Sequence, residues 1–393
     1  MKLVVIGLGQ CGGRIADEFS RLNRKAASQR GIEVVTGAYA VNTDIADLSG
    51  LRRIKPDYQH RILIGDRKTG GHGVGKINEL GAEVAKEDAD KVIDAVRATR
   101  RLTEADGFLL IAGASGGTGS GAIAILTHYI KERFADKPVY NLLVLPFEHE
   151  EQTEERTIYN AATCLKSSYL VADAVILVDN QRYIRNDASL LNNLDKINSL
   201  ITEPFYNLLC AGEEKKHKYI GAKVLDAGDI IQTLVGWTVI GHSKSSSSFF
   251  SFLFGKTRDF RKKVDENQKG IQAIDEAVSR LSVHCNPVDS RRALYLVAAP
   301  SRDMNMDMIK ELGVHLKSLS PGAIIRSGDY PRDRGSSLDV SVILSGLSDV
   351  EKISQYFSKT IGLISVIQKR QEGVESDYTA LDGSLKDIPS LLP

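Results

Sequence analysis

The chain lacks the features that would make it a disulfide scaffold, a membrane protein or a polyelectrolyte binder. Its four cysteines in 393 residues (Cys11, Cys164, Cys210 and Cys285) stand far apart with no CxxC pair, which excludes a disulfide framework and a structural zinc site of ordinary spacing. Its eight histidines form no HxxxH or HExxH pattern, so no protein-held metal centre is expected. Charge of one sign is also missing: 51 basic residues oppose 50 acidic ones, for a net charge of +1. That balance gives no general attraction to nucleic acid or anionic membrane, and little self-repulsion to prevent self-association. Nowhere do the ~18 apolar residues of a membrane span run together. The apolar start Leu3–Ile6 stops at Gly7, too short for a signal sequence. These absences predict a cytoplasmic protein without direct membrane insertion.

What is present is a chain that is 42% hydrophobic and 26% charged, able to bury a sizeable core and long enough for two domains. The first half alternates strand-like and helix-like segments. Strands are predicted at Leu3–Gly7, Glu33–Val41, Arg61–Ile64, Gly107–Ala112, Val139–Leu145 and Ala174–Val178. One helix is predicted from about Asn78 to Ala98 and another from Ala122 to Phe134. This order, with short connections, points to a Rossmann-like parallel sheet. A long helix near Ser189–Cys210 is expected to join it to a smaller α+β domain, with strands at Trp237–His242, Ala293–Ala299, Ala323–Arg326 and Leu338–Leu344. Ser243–Phe254 mixes serines with Phe249, Phe250, Phe252 and Phe254, and reads as a polar hinge beside aromatics that either pack on their own domain, the commoner case, or form an exposed contact site. From Gly373 the chain reads as a frayed tail.

Three glycine-rich stretches carry the chemistry. Gly7-Leu8-Gly9-Gln10-Cys11-Gly12 fits GxGxxG between a strand and a helix, where backbone amides can approach a phosphate. Alone it also fits a dinucleotide fold with Asp44 as the ribose acid. The second cluster, Gly113 to Gly121, supplies a second set of amides and a second helix dipole. No lysine follows these glycines as a Walker loop requires. With Gly70 to Gly75, the set describes a triphosphate held almost wholly by backbone amides.

These residues resemble a family. Gly9-Gln10-Cys11-Gly12 resembles the tubulin signature GQCG, and Gly116-Gly117-Thr118-Gly119-Ser120-Gly121 matches most of the tubulin/FtsZ signature GGGTGSG, with Ser115 in place of its first glycine. Ala40 to Asp44 resembles the second nucleotide loop. Gly71 to Gly81, with Asn78-Glu79, resembles the third, beside the γ-phosphate. The wording GGHGVG followed by NELGAEVA is most similar to the archaeal CetZ branch.

The resemblance implies a GTP-binding domain over 1–188, a connecting helix over 189–220, an activation-type domain over 221–372 and a flexible tail over 373–393. It implies GTP or GDP with Mg²⁺ as ligands and head-to-tail self-assembly into a filament. The implied nucleotide contacts are Gly9, Gln10, Cys11, Gly12, Gly13, Arg14, Asn42, Asp44, Gly71, Gly73, Gly116, Gly117, Thr118 and Gly119. At the base and ribose end they are Asn180, Asn198, Arg156 and one glutamate of a charged loop running from Glu148, with Glu155 the choice. The family's stacking aromatic, four residues before Asn198, is replaced by Leu194.

Phosphoryl transfer needs a group that places water against the γ-phosphate. Asp226 and Asp229, which open a helix running to Leu234, resemble the family's seventh loop. There two aspartates complete the site of the neighbouring subunit. Val224 stands where the pattern has asparagine, which implies slow hydrolysis. As plain residues, two acids at a helix start are equally a capping pair. The competing functions are a nucleotide-binding polymer scaffold without turnover and a nicotinamide-dependent Rossmann oxidoreductase, which leaves the second glycine cluster unexplained.

Overall fold

The computed structural model describes residues 1–184, 190–246, 260–301, 304, 306–332 and 337–363. Among these residues ten strands form one sheet: β1 (Leu3–Leu8), β2 (Val35–Asn42), β3 (Arg61–Leu63), β4 (Gly107–Gly113), β5 (Val139–Leu145), β6 (Ala174–Asp179), β7 (Gly236–Ser246), β8 (Arg292–Pro300), β9 (Ile324–Arg332) and β10 (Ser337–Ser345). Their order is β3-β2-β1-β4-β5-β6-β7-β10-β8-β9. The first six are parallel, and β1, β4, β5 and β6 are apolar and buried along nearly their whole length. Strands covered on both faces read as continuous apolar runs, and these do. The order reverses between β1 and β4, which opens a crevice at the carboxyl ends of those two strands.

The sheet does not stop where the helix-joined second half begins. Ala174, Val175 and Ile176 of β6 pair in parallel with Gly236, Trp237 and Thr238 of β7. Strand β10 then pairs antiparallel with both β7 and β8, and β9 runs parallel to β8. The α+β half is therefore mixed, as expected, but continuous with the nucleotide-type half. The long central helix, Leu190–Ala211, packs on one face with the helix Gly9–Arg30 through Phe19 and Phe205, whose rings meet edge to face at 5.3 Å.

Four expectations need correction. The helix predicted over Asn78–Ala98 is two helices, Asn78–Glu87 and Ala89–Arg97. Between them Asp88 leaves helical geometry, and its carboxylate accepts from the Gly65 backbone N–H at 2.7 Å. The charged stretch from Glu148 to Arg156 is not a loop. It forms the helix Glu148–Thr153 and opens the helix Glu155–Val171, because its acids sit where helix N-termini favour negative charge and Glu150 accepts from the Phe147 N–H at 2.9 Å. Ser243 to Ser246 is not a hinge but the end of β7, paired with β10; Phe249, Phe250, Phe252 and Phe254 lie outside the described residues. Finally, the strand predicted at Ala323–Arg326 runs on to Arg332, through a Pro331 that is tolerated because β9 is the edge strand and pairs on one side only, with β8. The tail from Gly373 also lies outside the described residues.

Candidate functional site

The helices that follow β1 and β4 begin in the same unusual way. The helix Gly9–Arg30 starts after Leu8, and the helix Thr118–Arg133 after Gly117. Neither start has a side-chain cap or an acid in its first turn. The first-turn N–H groups of a helix have no intrahelical acceptor, so two uncapped positive dipole ends face the crevice between β1 and β4. The helices Asn78–Glu87, Ala89–Arg97 and Glu155–Val171 also lack a side-chain cap but carry an acid in the first turn, and two others are capped by aspartate. Asp44 accepts from the Asp47 N–H at 3.0 Å, and Asp226 from the Asp229 N–H at 2.9 Å.

Glycine lets the loops come this close. A Cβ on Gly12 would lie 2.0 Å from the Ile111 carbonyl oxygen, so the first helix could not sit on β4 with any other residue there. Gly9, at φ +67°, would put a Cβ 3.0 Å from the Gly119 nitrogen, which measures how near the two phosphate-type loops run. At Gly116, by contrast, an added Cβ meets no protein atom within 4 Å. No packing demand explains that glycine, whereas a ligand approaching the backbone does.

The other two segments close on the same place. The Thr43 and Thr118 hydroxyls meet at 2.6 Å. Gly73 N–H donates to the Thr43 carbonyl and Ile45 N–H to the Gly71 carbonyl, both at 3.0 Å. Asn42 is buried, donating to Asp47 at 3.0 Å and accepting from Thr43 N–H at 2.8 Å. Gln10 donates to the other oxygen of Asp47 at 2.6 Å. Gly71 and Gly73 have φ +75° and +81°. Gly9, Gln10, Cys11, Gly12, Gly13, Asn42, Asp44, Gly71, Gly73, Gly116, Gly117, Thr118 and Gly119 therefore belong to one constellation. Burial pushes the Cys11 thiol up to about 12, which disfavours the thiolate a nucleophile needs.

Arg14 and Asn198 line a cavity of about 560 Å³ between the helix Gly9–Arg30 and the central helix, with Asp17, Leu51 and Arg53 also in its wall. Asn198 is buried, and Leu194 is half-buried one turn before it. Asn180 begins the short helix after β6. Arg156 lies elsewhere: it pairs with Glu79 and donates to the Lys76 carbonyl at 3.2 Å, on the side of the third glycine stretch. Glu155 is exposed at the start of its helix.

Asp226 and Asp229 are not near these loops. They precede β7, whose first residue pairs with Ala174, the first residue of β6. The glycine loops follow the last residues of β1 and β4, so the sheet's full width along the strands separates the two groups. Asp229 pairs with Arg326 at 3.2 Å, Asp226 is exposed and caps the helix Ala227–Thr233, and Val224 is exposed beside them.

A model of the Tubulin/FtsZ family GTPase domain matches residues 2–187, and a model of the tubulin-like CetZ C-terminal domain matches residues 187–361. The chain belongs to the CetZ branch of the tubulin/FtsZ superfamily. It is 32% identical over 370 residues to the tubulin-like protein CetZ1 of Haloferax volcanii, covering 90% of each chain. Among solved structures it is similar to CetZ2 from Haloferax volcanii in a GTPγS-bound protofilament, with TM-score 0.80, 28% identity and coverage of 94% of this chain and 100% of that one. It is likewise similar to the GDP-bound monomer of CetZ1 from the same organism, with TM-score 0.79, 29% identity and coverage of 92% and 99%. The CetZ-type fold thus spans the chain, including the sheet's continuation through β7 to β10.

One residue that holds these loops together escaped the sequence analysis. Asn160, fully buried, sends its side-chain nitrogen to the carbonyls of Lys76, Ser115 and Gly116 at 2.9, 3.1 and 3.2 Å. No motif marks it; only its position, one turn into a helix beside a charged run, was visible. Among the described residues no group of three or more His, Cys, Asp or Glu side chains is placed to hold a metal. A Mg²⁺ ion would then have to take its ligands chiefly from phosphate oxygens and water. No described helix is long and apolar enough to cross a membrane.

Proposed function

We propose that this chain binds GTP and GDP at the β1–β4 crevice and hydrolyses GTP as subunits assemble head to tail into a cytoplasmic filament with a cytoskeletal or cell-shape role. Three regions divide the work: residues 1–188 hold nucleotide, 189–220 connect, and 221–372 carry the aspartates. The uncapped helix starts and their glycines receive the phosphates. Arg14, Asn180 and Asn198 take the base and ribose end, and Leu194 covers the base without stacking. Mg²⁺, when bound, would supply charge neutralisation to the phosphates.

The observation that carries the reading is the separation of Asp226 and Asp229 from the glycine loops along the strands. No subunit can bring these acids to its own nucleotide, yet stacking one subunit's amino-terminal sheet edge on the next one's carboxyl edge puts them beside it. Such a contact is heterologous and does not close, so it propagates. There the aspartates would place water against the γ-phosphate, with Asp229 oriented by Arg326.

A second reading, assembly without turnover, is favoured by Val224, an exposed aliphatic where an asparagine would help position water. Phosphate release with GTP and Mg²⁺ over a protein concentration series decides between them. Specific activity that rises with concentration supports the first. GTP-dependent assembly with no phosphate release supports the second, and no GTP binding contradicts both.

A further inference from the structure

The side chain of Asn160 reaches three carbonyls on two different loops, and what it does to the peptide planes of one of them has a chemical consequence. Among the described residues there is no cis peptide bond, and in a trans peptide the C=O and the following N–H point in opposite directions. The Asn160 nitrogen draws the Ser115 and Gly116 carbonyls toward the helix Glu155–Val171. The N–H groups of Gly116 and Gly117 must then face away from that helix. We propose that Asn160 is a positioning residue for phosphate binding. By this assignment it sets the direction of the Gly116 and Gly117 amides and clamps the third glycine stretch against them through Lys76. The inference rests on the reading that these amides receive phosphate.

The clamp is under visible constraint. Lys76 has φ +61°, the one non-glycine residue with positive φ in the described chain, a conformation a lysine does not adopt without support. The support comes from the helix Glu155–Val171: Asn160 and Arg156 both donate to the Lys76 carbonyl. Lys76 Nζ also pairs with Glu154 at 2.6 Å. The second cluster presses from the other side, since a Cβ on Gly117 would lie 2.9 Å from the Lys76 Cα. The Asn160 carbonyl oxygen is buried and has no partner among the described residues. That is a cost which a side chain kept only for packing would not carry, because an apolar residue would avoid it.

Affinity for GDP and for GTPγS, each with Mg²⁺, in the wild type, Asn160→Ala and Asn160→Asp tests this. Losing the donor is expected to weaken both nucleotides by about tenfold, the equivalent of one or two buried hydrogen bonds. Asn160→Asp keeps the shape but loses the donor, so at pH 8 it binds no better than Asn160→Ala. Burial among carbonyls pushes the new carboxyl upward, and once protonated it can donate. Its affinity should therefore recover as pH falls from 8 to 6, a profile the wild type lacks. Nucleotide affinities within twofold of wild type, with only the nucleotide-free melting temperature lowered, would overturn the inference and leave a packing role. Should Asn160→Ala not fold, Arg156→Ala removes the second donor to Lys76 at the surface; about threefold weaker GTPγS binding supports the clamp, and unchanged binding overturns it. A wild type that binds neither nucleotide would instead overturn the functional reading itself.

Discussion

The hydroxyls of Thr43 and Thr118 lie 2.6 Å apart in a buried position, joining the loop after β2 to the first turn of the helix after β4. These segments are distant in sequence and share no backbone hydrogen bond there, so this contact sets the spacing between two of the loops that face the crevice. Thr43→Val keeps the volume and removes the bond, leaving the Thr118 hydroxyl without its partner. The expected cost is about 1–2 kcal/mol, read as a lower denaturation midpoint with an unchanged denaturant slope. Nucleotide affinity should fall in the same variant.

Gly81 and Gly121 set how closely the helix Asn78–Glu87 packs on the helix Thr118–Arg133. A Cβ on Gly81 would sit 2.4 Å from the Gly117 carbonyl oxygen, and one on Gly121 would sit 2.1 Å from the Asn78 carbonyl oxygen. These are backbone atoms that cannot rotate away. Gly81→Ala is expected to cost about 3 kcal/mol and to push the third glycine stretch off the second cluster. Thermal denaturation with and without GDP measures both effects.

The helix over 351–363 is tied to the helix Glu148–Thr153 by a buried phenol: Tyr356 donates to Glu151 at 2.5 Å, and beside it Lys352 pairs with Asp179 at 2.9 Å. Burial and the Glu151 charge together push the Tyr356 phenol far above its ordinary value, so it stays a donor throughout the useful pH range. Tyr356→Phe leaves a half-buried carboxylate short of a donor. A loss of about 2 kcal/mol is expected, and protease cleavage near residue 350 should become faster.

His242 predicts a pH dependence. Its ring lies within β7, with Nδ1 3.2 Å from the Ser341 hydroxyl and Nε2 buried with no partner among the described residues. Burial lowers its pKa below the ordinary 6.5; Asp339 and Glu203 oppose that shift, while Lys244 and Arg280 add to it. The unfolded chain takes up this proton at a higher pH than the folded one. Stability is therefore full above about pH 7.5 and falls as pH drops through 6.5, with a slope of at most ~1.4 kcal/mol per unit. His242→Gln should flatten that stretch of a stability-against-pH curve; an unchanged curve would assign the slope to other groups.

Much of this was legible in the sequence, for identifiable reasons. Strands β1, β4, β5 and β6 are covered on both faces, so each is an apolar run that can be read without a partner. The glycine stretches were legible because close backbone approach tolerates no other residue, as Gly12 and Gly119 illustrate. The helix Glu155–Val171 was not legible. The face it buries consists of Thr157, Asn160, Ala161, Ala162, Cys164, Leu165 and Ser168, small and polar residues that leave almost no hydrophobic periodicity. With it went Asn160, and the sense of Arg156, whose partners Lys76 and Glu79 are far away in sequence. The single sheet was hidden too, because the pairing of Ala174 with Gly236 depends on how two halves meet. So was the pairing of Asp229 with Arg326, a contact between a helix and β9.

The central claim is that the aspartates of one subunit act on the nucleotide of the next. It is tested most directly by mixing two variants that are each inactive alone. Asp229→Ala keeps the glycine loops and loses the acid. Gly116→Glu keeps Asp229 and projects a negative charge from a position where an added Cβ meets no protein atom within 4 Å, to repel phosphate. The account predicts that phosphate release from GTP, absent in either alone, appears when they are combined and grows with total protein concentration. A mixture as inactive as its components, while Asp229→Ala still binds GTP and still assembles, would contradict a site shared between subunits.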